Sequence, residues 1–313
     1  MITVSRYNRE MEREWNEFVG RSRNATFMHN RQYMDYHSDR FADHSLVMTD
    51  HKGRLAALMP ANERDGELFS HGGLTFGGLL IGTTGAVECM EMMDALTTYM
   101  KKKGLGVLHY KQIPTIYHRL PSQDDEYALW RHGATIEVCN MATTIDLAAP
   151  VTTERRRRRG VKSALEEGYT VDFNATIAEL WGIIESNLMT RYAARPVHTL
   201  SEMELLAGRF PDNIRCAVGR NSRGEVEGGV VMYIGNGVVH AQYGHASATG
   251  YDHHVMDLVY TEVIKRARMD GYRYFDFGTS NEQGGTVLNP SLVSLKEGFG
   301  GHGVAYKQWR LSL

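Results

Sequence analysis

The chain is poor in cysteine, has no long apolar run and carries almost no net charge, and each shortage removes a class of protein. Its three cysteines, Cys89, Cys139 and Cys216, are far apart and show no Cys-x-x-Cys spacing. That excludes a disulfide framework and a cysteine-based metal or redox motif, and a reducing compartment fits best. No apolar stretch approaches the roughly twenty residues needed to span a bilayer. The opening Met1-Ile-Thr-Val-Ser-Arg-Tyr-Asn-Arg9 lacks an apolar signal core. A cytoplasmic protein without a transmembrane segment is expected. A formal charge of -2 supplies no field for gathering DNA, so any polyanion has to be met by a local patch such as Arg155 to Arg159. Gly77-Gly-Leu-Leu-Ile-Gly82 lacks the lysine of a phosphate loop, which rules out a nucleotide hydrolase. His253-His254 lacks a third ligand at useful spacing, and no metal is expected.

With 313 residues, 42% of them hydrophobic, the chain is long enough for two ordinary cores. In the first half, Ile2 to Arg6 reads as a strand and Met11 to Val19 as a helix with a narrow edge of Trp15, Phe18 and Val19. His29 to Tyr36 reads as a further helix. Ser45 to Asp50 and Leu55 to Met59 flank a glycine-bearing turn and read as a hairpin. Met90, Met93, Leu96 and Met100 mark a helix over Val87 to Lys101, followed by a strand from Gly106 to Lys111. A strand pair, a helix and a strand recur from Ile214 to Phe277, which points to a structural duplication with a boundary near Ala148-Ala-Pro150. Past it, Thr152 or Thr153 can cap a helix that carries the arginine run through Leu165.

The last seventy residues are the most informative. Val238 to Gly244 suits a buried strand, with period two placing Tyr243 and His245 on one face and His240 on the other. His245 to Gly250 reads as a loop. Val255, Leu258, Val259, Val263 and Ala267 form the apolar stripe of a helix whose other face holds Asp257, Glu262, Lys265 and Arg266. Tyr272 to Phe277 alternates as a strand and opens into Gly278 to Gly285; a second helix, Pro290 to Glu297, ends at Gly298-Phe-Gly-Gly301. Tyr306 to Leu313 closes the chain as a strand.

This order, with Asp276-Phe-Gly-Thr-Ser280 and Lys296-Glu-Gly-Phe-Gly300, resembles the carboxy-terminal domain of the FemABX-like acyltransferases. The likeness extends to the basic segment Arg155 to Ala164, to Arg191 to Thr199 and to Ser70 to Gly78. It implies an α/β protein with mixed sheets and two tandem GNAT-like domains. Residues 1–150 would serve the acceptor, and residues 151–313, with the basic connecting helix, the acyl donor. It further implies that Val239 to Gly244 and Tyr272 to Phe277 are parallel strands that splay apart, leaving backbone N–H groups for the acyl and pantetheine portions of a thioester.

Acyl transfer to an amine needs a held acyl donor, a neutral amine and stabilisation of the tetrahedral oxyanion. Lys296 is the first candidate, because the matching family lysine serves donor binding and catalysis; the alternative is a solvated helix lysine. Asp276 can orient the amine or accept its proton, or only bond the neighbouring loop. Tyr243, His240 and His245 can relay protons or simply pack. His245, Gly278, Ser280 and Phe299 are expected around the acyl donor. His71, Gly72, Arg158, Arg191, Tyr192 and His198 are expected around the acceptor. Of the arginine run, at most two or three side chains can face one ligand.

The usual GNAT pyrophosphate loop is not cleanly present, since only Ser247-Ala-Thr-Gly250 resembles it, and FemABX-like proteins often lack that loop. The expected function is N-acyl transfer from acyl-CoA to an amine of a sugar, amino acid or cell-envelope precursor by direct attack. A FemABX-type transferase using charged tRNA is the alternative, and a non-catalytic ligand-binding protein of the same fold is a third.

Overall fold

The computed structural model of the chain describes residues 1–313, the side chain of Tyr192 excepted. Two compact units divide it: Met1–Asn140 with Gln283–Thr286 and Ala305–Leu313, and Met141–Glu282 with Val287–Val304.

The first unit contains β1 (Thr3–Arg6), α1 (Glu12–Arg21), α2 (Arg31–Met34), β2 (Leu46–Thr49), β3 (Leu55–Met59), β4 (Asn62–Arg64), β5 (Glu67–Phe69), β6 (Leu80–Ile81), α3 (Ala86–Lys103), β7 (Val107–Lys111) and α4 (Asp124–Arg131). The hairpin expected around the glycine turn is β2–β3, at the centre of an antiparallel sheet ordered β1-β2-β3-β6. The helix expected over His29 to Tyr36 shortens to α2, because the Asn30 side chain accepts the N–H of Gln32 and starts the helix there. β5 and β7 pair in parallel through Glu67↔Val107, Leu68↔Leu108 and Phe69↔His109. One core joins Leu46, Met48, Met59, Met92, Met93, Leu96 and Leu108. This is the methionine-rich face that the helical spacing of α3 requires.

The chain continues as β8 (Thr135–Asp146), α5 (Arg155–Glu166), β9 (Thr170–Asp172), α6 (Ile177–Tyr192), α7 (Leu200–Arg209), β10 (Ile214–Arg220), β11 (Val226–Gly235), β12 (Val238–Ala246), α8 (Ala248–Asp252), α9 (Val255–Met269), β13 (Tyr274–Thr279), β14 (Asn281–Glu282), β15 (Val287–Leu288) and α10 (Pro290–Glu297). In the second unit the strand order is β8-β13-β12-β11-β10-β9. The last strand, β16 (His302–Ser312), ends in the first unit, where Gln308 to Ser312 pair with β7. Each unit thus has an antiparallel hairpin, a long helix and a following strand in a parallel pair. This is the mixed α/β, tandem GNAT-like architecture expected from the sequence.

Three local expectations are corrected. Asp257 does not lie on a solvent face of α9 but is buried, because α5 packs there and Arg157 bonds it at 2.6 Å. Glu154, not Thr152 or Thr153, occupies the N-cap of α5 without a side-chain cap; its backbone N–H donates to Gly298 O at 2.8 Å. The segment after His245 is not an open loop: Ser247 Oγ accepts the N–H of Gly250 and starts α8.

Candidate active site

The geometry of the second unit turns on where β12 and β13 stop pairing. They run parallel through Val238↔Tyr274, Val239↔Phe275 and His240↔Asp276, and no register pair follows, although β12 continues to Ala246 and β13 to Thr279. On one side a bulge bends β12: Val231 pairs with Tyr243 but Met232 with Ala241, so Gln242 is the extra residue. On the other side β13 shifts register against β8 between Asp276 and Thr279, and Ser280 N donates to Met141 O at 2.9 Å. The strands diverge because each is drawn toward its outer neighbour.

The bulge also corrects the face assignment. Through their partners Tyr233, Val231 and Gly229, residues His240, Tyr243 and His245 lie on one face of β12. Simple alternation fails there because one residue is inserted between His240 and Tyr243.

Asp276 is fully buried. Its Oδ1 accepts from Thr144 Oγ1 and from the N–H of Gly278, both at 3.0 Å, and its Oδ2 meets His240 Nδ1 at 2.8 Å. Gly278 has φ +72°, and a Cβ there would stand 3.0 Å from His240 Cε1. Its left-handed backbone turns the chain over the imidazole without touching it. We expect Gly278→Ala to cost about 1–2 kcal/mol and to displace the ring; chemical denaturation and the histidine NMR signals would register both effects.

Lys296, in the last turn of α10, is buried, not solvated. Its Nζ donates to the carbonyls of Gly278 at 2.9 Å and Thr279 at 2.7 Å, at the end of β13. Burial pushes its pKa down to about 8, against the opposing pull of Asp276. Ser280, next along the chain, is 1% exposed and its Oγ has no partner among the described residues.

The other sequence-derived candidates divide among several places. His198 Nδ1 and the Tyr243 hydroxyl are 2.7 Å apart and buried, with Trp181 edge-on to the Tyr243 ring. His245 Nδ1 meets Asn187 Oδ1 at 3.0 Å, and burial, reinforced by Arg191, lowers its pKa to about 4, so it is neutral at physiological pH. Arg191 is exposed and stands 4.0 Å over the Tyr251 ring. Phe299 is in the core with Tyr260 and Phe277. Arg158 is exposed and bonds the carbonyl of Thr153. The side chain of Tyr192 lies outside the described residues. In the first unit His71 is buried and stacked on His37, with its pKa lowered to about 3 by burial; Gly72 N donates to Asn62 Oδ1 at 2.6 Å.

Sequence reasoning considered His240 and Asp276 separately and missed their pairing. The available signal was a histidine and an aspartate, each in a strand expected to neighbour the other. Thr144 gave no signal, because it comes from β8, far earlier in the chain.

Residues 152–284 match the family model described as acetyltransferase (GNAT) domain. No curated protein sequence matches the chain. Among solved structures the chain is similar to FemX, with a TM-score of 0.69 at 12% identity over 99% of this chain and 97% of that one. It is also similar to L-PGS from Bacillus licheniformis, with a TM-score of 0.62 at 12% identity over 97% and 91%. A tandem GNAT protein from the clavulanic acid biosynthesis pathway gives a TM-score of 0.52 at 14% identity over 100% and 98%. Among the described residues no helix is long and apolar enough to cross a membrane.

Proposed function

We propose that this chain, which has a tandem GNAT-like fold and a GNAT acetyltransferase match over residues 152–284, transfers an acyl group from an acyl-CoA thioester to an amine of a sugar, an amino acid or a cell-envelope precursor by direct attack. The observation that carries this reading is the end of β12–β13 pairing at His240↔Asp276. Where two parallel strands part, each keeps backbone groups directed at the gap. Those groups can bond an extended amide chain such as pantetheine as a further strand would.

A comparison of the two parallel pairs favours the second unit as the site of the acyl donor. In the first unit the equivalent gap beyond β5 is filled by the chain itself. Ser70 N donates to His109 O at 2.9 Å, Lys111 N to Ser70 Oγ at 2.8 Å and Gly77 N to Lys111 O at 2.8 Å. No such backbone bridge joins β12 to β13 beyond Asp276 among the described residues. The first unit, with His71 and Gly72, is then the proposed acceptor side.

One observation favours a second reading. Arg155, Arg156, Arg158 and Arg159 are all exposed on α5, a local cationic face suited to the phosphates of a charged tRNA. Calorimetric titration with acetyl-CoA and longer acyl-CoA thioesters separates the two. We expect micromolar binding, a raised Tm and release of free CoA when an amine is added. Retention of charged tRNA with no acyl-CoA binding would replace the first reading by the second. Binding of either molecule with no product would leave a ligand-binding protein.

A further inference from the structure

We infer that His240 and Asp276 form a proton-accepting dyad, in which His240 Nε2 takes the proton from the attacking amine and Asp276 holds the imidazole in the tautomer that makes this possible. The inference rests on the acyl-transfer reading and names the base for that reaction.

The hydrogen bonds fix the roles. Asp276 Oδ1 is occupied by two donors, Thr144 Oγ1 and the Gly278 N–H, so the carboxyl group cannot rotate freely. Its Oδ2 accepts from His240 Nδ1 at 2.8 Å. A ring whose Nδ1 carries the proton presents a lone pair at Nε2, and Nε2 has no hydrogen-bond partner among the described residues. The side chain of His240 is 14% exposed while Asp276 is 0% exposed. The carboxylate is therefore sealed in and only the imidazole reaches the gap. His240 is also the last residue of β12 in register with β13, which places its ring where the strands begin to part. This is the division of labour seen wherever a buried carboxylate orients a histidine base.

The step balances without a further reactant. The amine nitrogen forms a bond to the thioester carbonyl carbon and loses a proton to His240 Nε2. The carbon–sulfur bond then breaks, and the thiolate takes that proton from the imidazolium, giving an amide and a thiol and restoring the neutral ring. Asp276 is a positioning residue and is not itself protonated.

The titratable groups on this side of the sheet around His240 are Asp276 on β13, Tyr233 opposite it on β11, Tyr243 farther along β12 with His198 bonded to it, His245 beyond Tyr243, and Lys296 from α10. His240→Gln is expected to lower kcat by about 10²–10⁴-fold, while the Kd for acetyl-CoA stays within twofold. Asp276→Asn should produce a similar loss by a different route. Its Oδ1 can keep Thr144 and Gly278 while its amide donates to Nδ1, forcing the proton onto Nε2. Nitrogen-15 spectra of labelled histidine read the tautomer directly and require no turnover: a protonated Nδ1 in the wild type and a protonated Nε2 in Asp276→Asn are expected. A wild-type signal with the proton on Nε2 would overturn the dyad. So would a His240→Gln enzyme that keeps more than a tenth of wild-type kcat. Failure to bind any acyl-CoA, by contrast, counts against the acyl-donor assignment and leaves the tautomer measurement to decide the dyad.

Discussion

Lys296→Met is expected to lower kcat by about 10²–10³-fold while moving Tm by no more than about 5 °C. The two halves of that expectation have separate causes. For stability, two effects of similar size oppose each other. A pKa depressed from the ordinary 10.5 to about 8 means that the folded chain prefers the neutral amine. The burial penalty is absent above pH 10.5 and fully present below pH 8, where it amounts to about 3 kcal/mol. Removing the ammonium relieves that penalty at pH 7. It also leaves the Gly278 and Thr279 carbonyls without this donor, at about 1–3 kcal/mol each. The balance is near zero or mildly destabilising. For turnover nothing compensates, because a methionine cannot offset negative charge at the end of β13 where the strands diverge. If the ammonium is the active form, wild-type kcat should fall as pH rises through about 8, and that alkaline limb should be missing from Lys296→Met. A variant with near-normal turnover would remove Lys296 from the mechanism.

Asp257→Ala is expected to have the largest effect on stability, about 3–5 kcal/mol, seen as a Tm lowered by about 10 °C or more. Arg157 and Asp257 form an ion pair at 2.6 Å with side chains 10% and 7% exposed. Loss of the carboxylate would strand the guanidinium in the interior, since Arg157 Nε already lacks a partner among the described residues. The pair forms because Gly160 lets α5 approach α9: a Cβ at that position would fall 2.2 Å from Asp257 Oδ2. The guanidinium also stands 5.5 Å over the Phe299 ring, in the turn that follows Lys296. Differential scanning calorimetry of the single variant and of Arg157→Met/Asp257→Leu would separate a broken pair from a missing one. The double variant should lie close to the wild type, because neither charge then remains buried. A single variant as stable as the wild type would show that the guanidinium finds water or another acceptor.

Arg157 illustrates where sequence reasoning stops. Five consecutive arginines on a helix point in every direction, and no pattern within the run marks the one that turns inward. The deciding feature is the partner, a carboxylate about a hundred residues away that the amphipathic pattern of α9 assigns to solvent. His240 is similar. Its identity and strand were legible, but its face was not, because the insertion of Gln242 is a matter of hydrogen-bond register with β11.

The order of elements, the duplicated hairpin–helix–strand pattern and the lysine ahead of a glycine-rich turn were determined by the sequence by itself. Periodicity, turn residues and helix stops act over a few neighbouring positions, so local order is enough to express them. Only the tertiary structure decided which residues face each other. The gap between β12 and β13, the burial of Lys296 and the pairing of His240 with Asp276 depend on register across strands distant in sequence, and on desolvation that no single segment imposes.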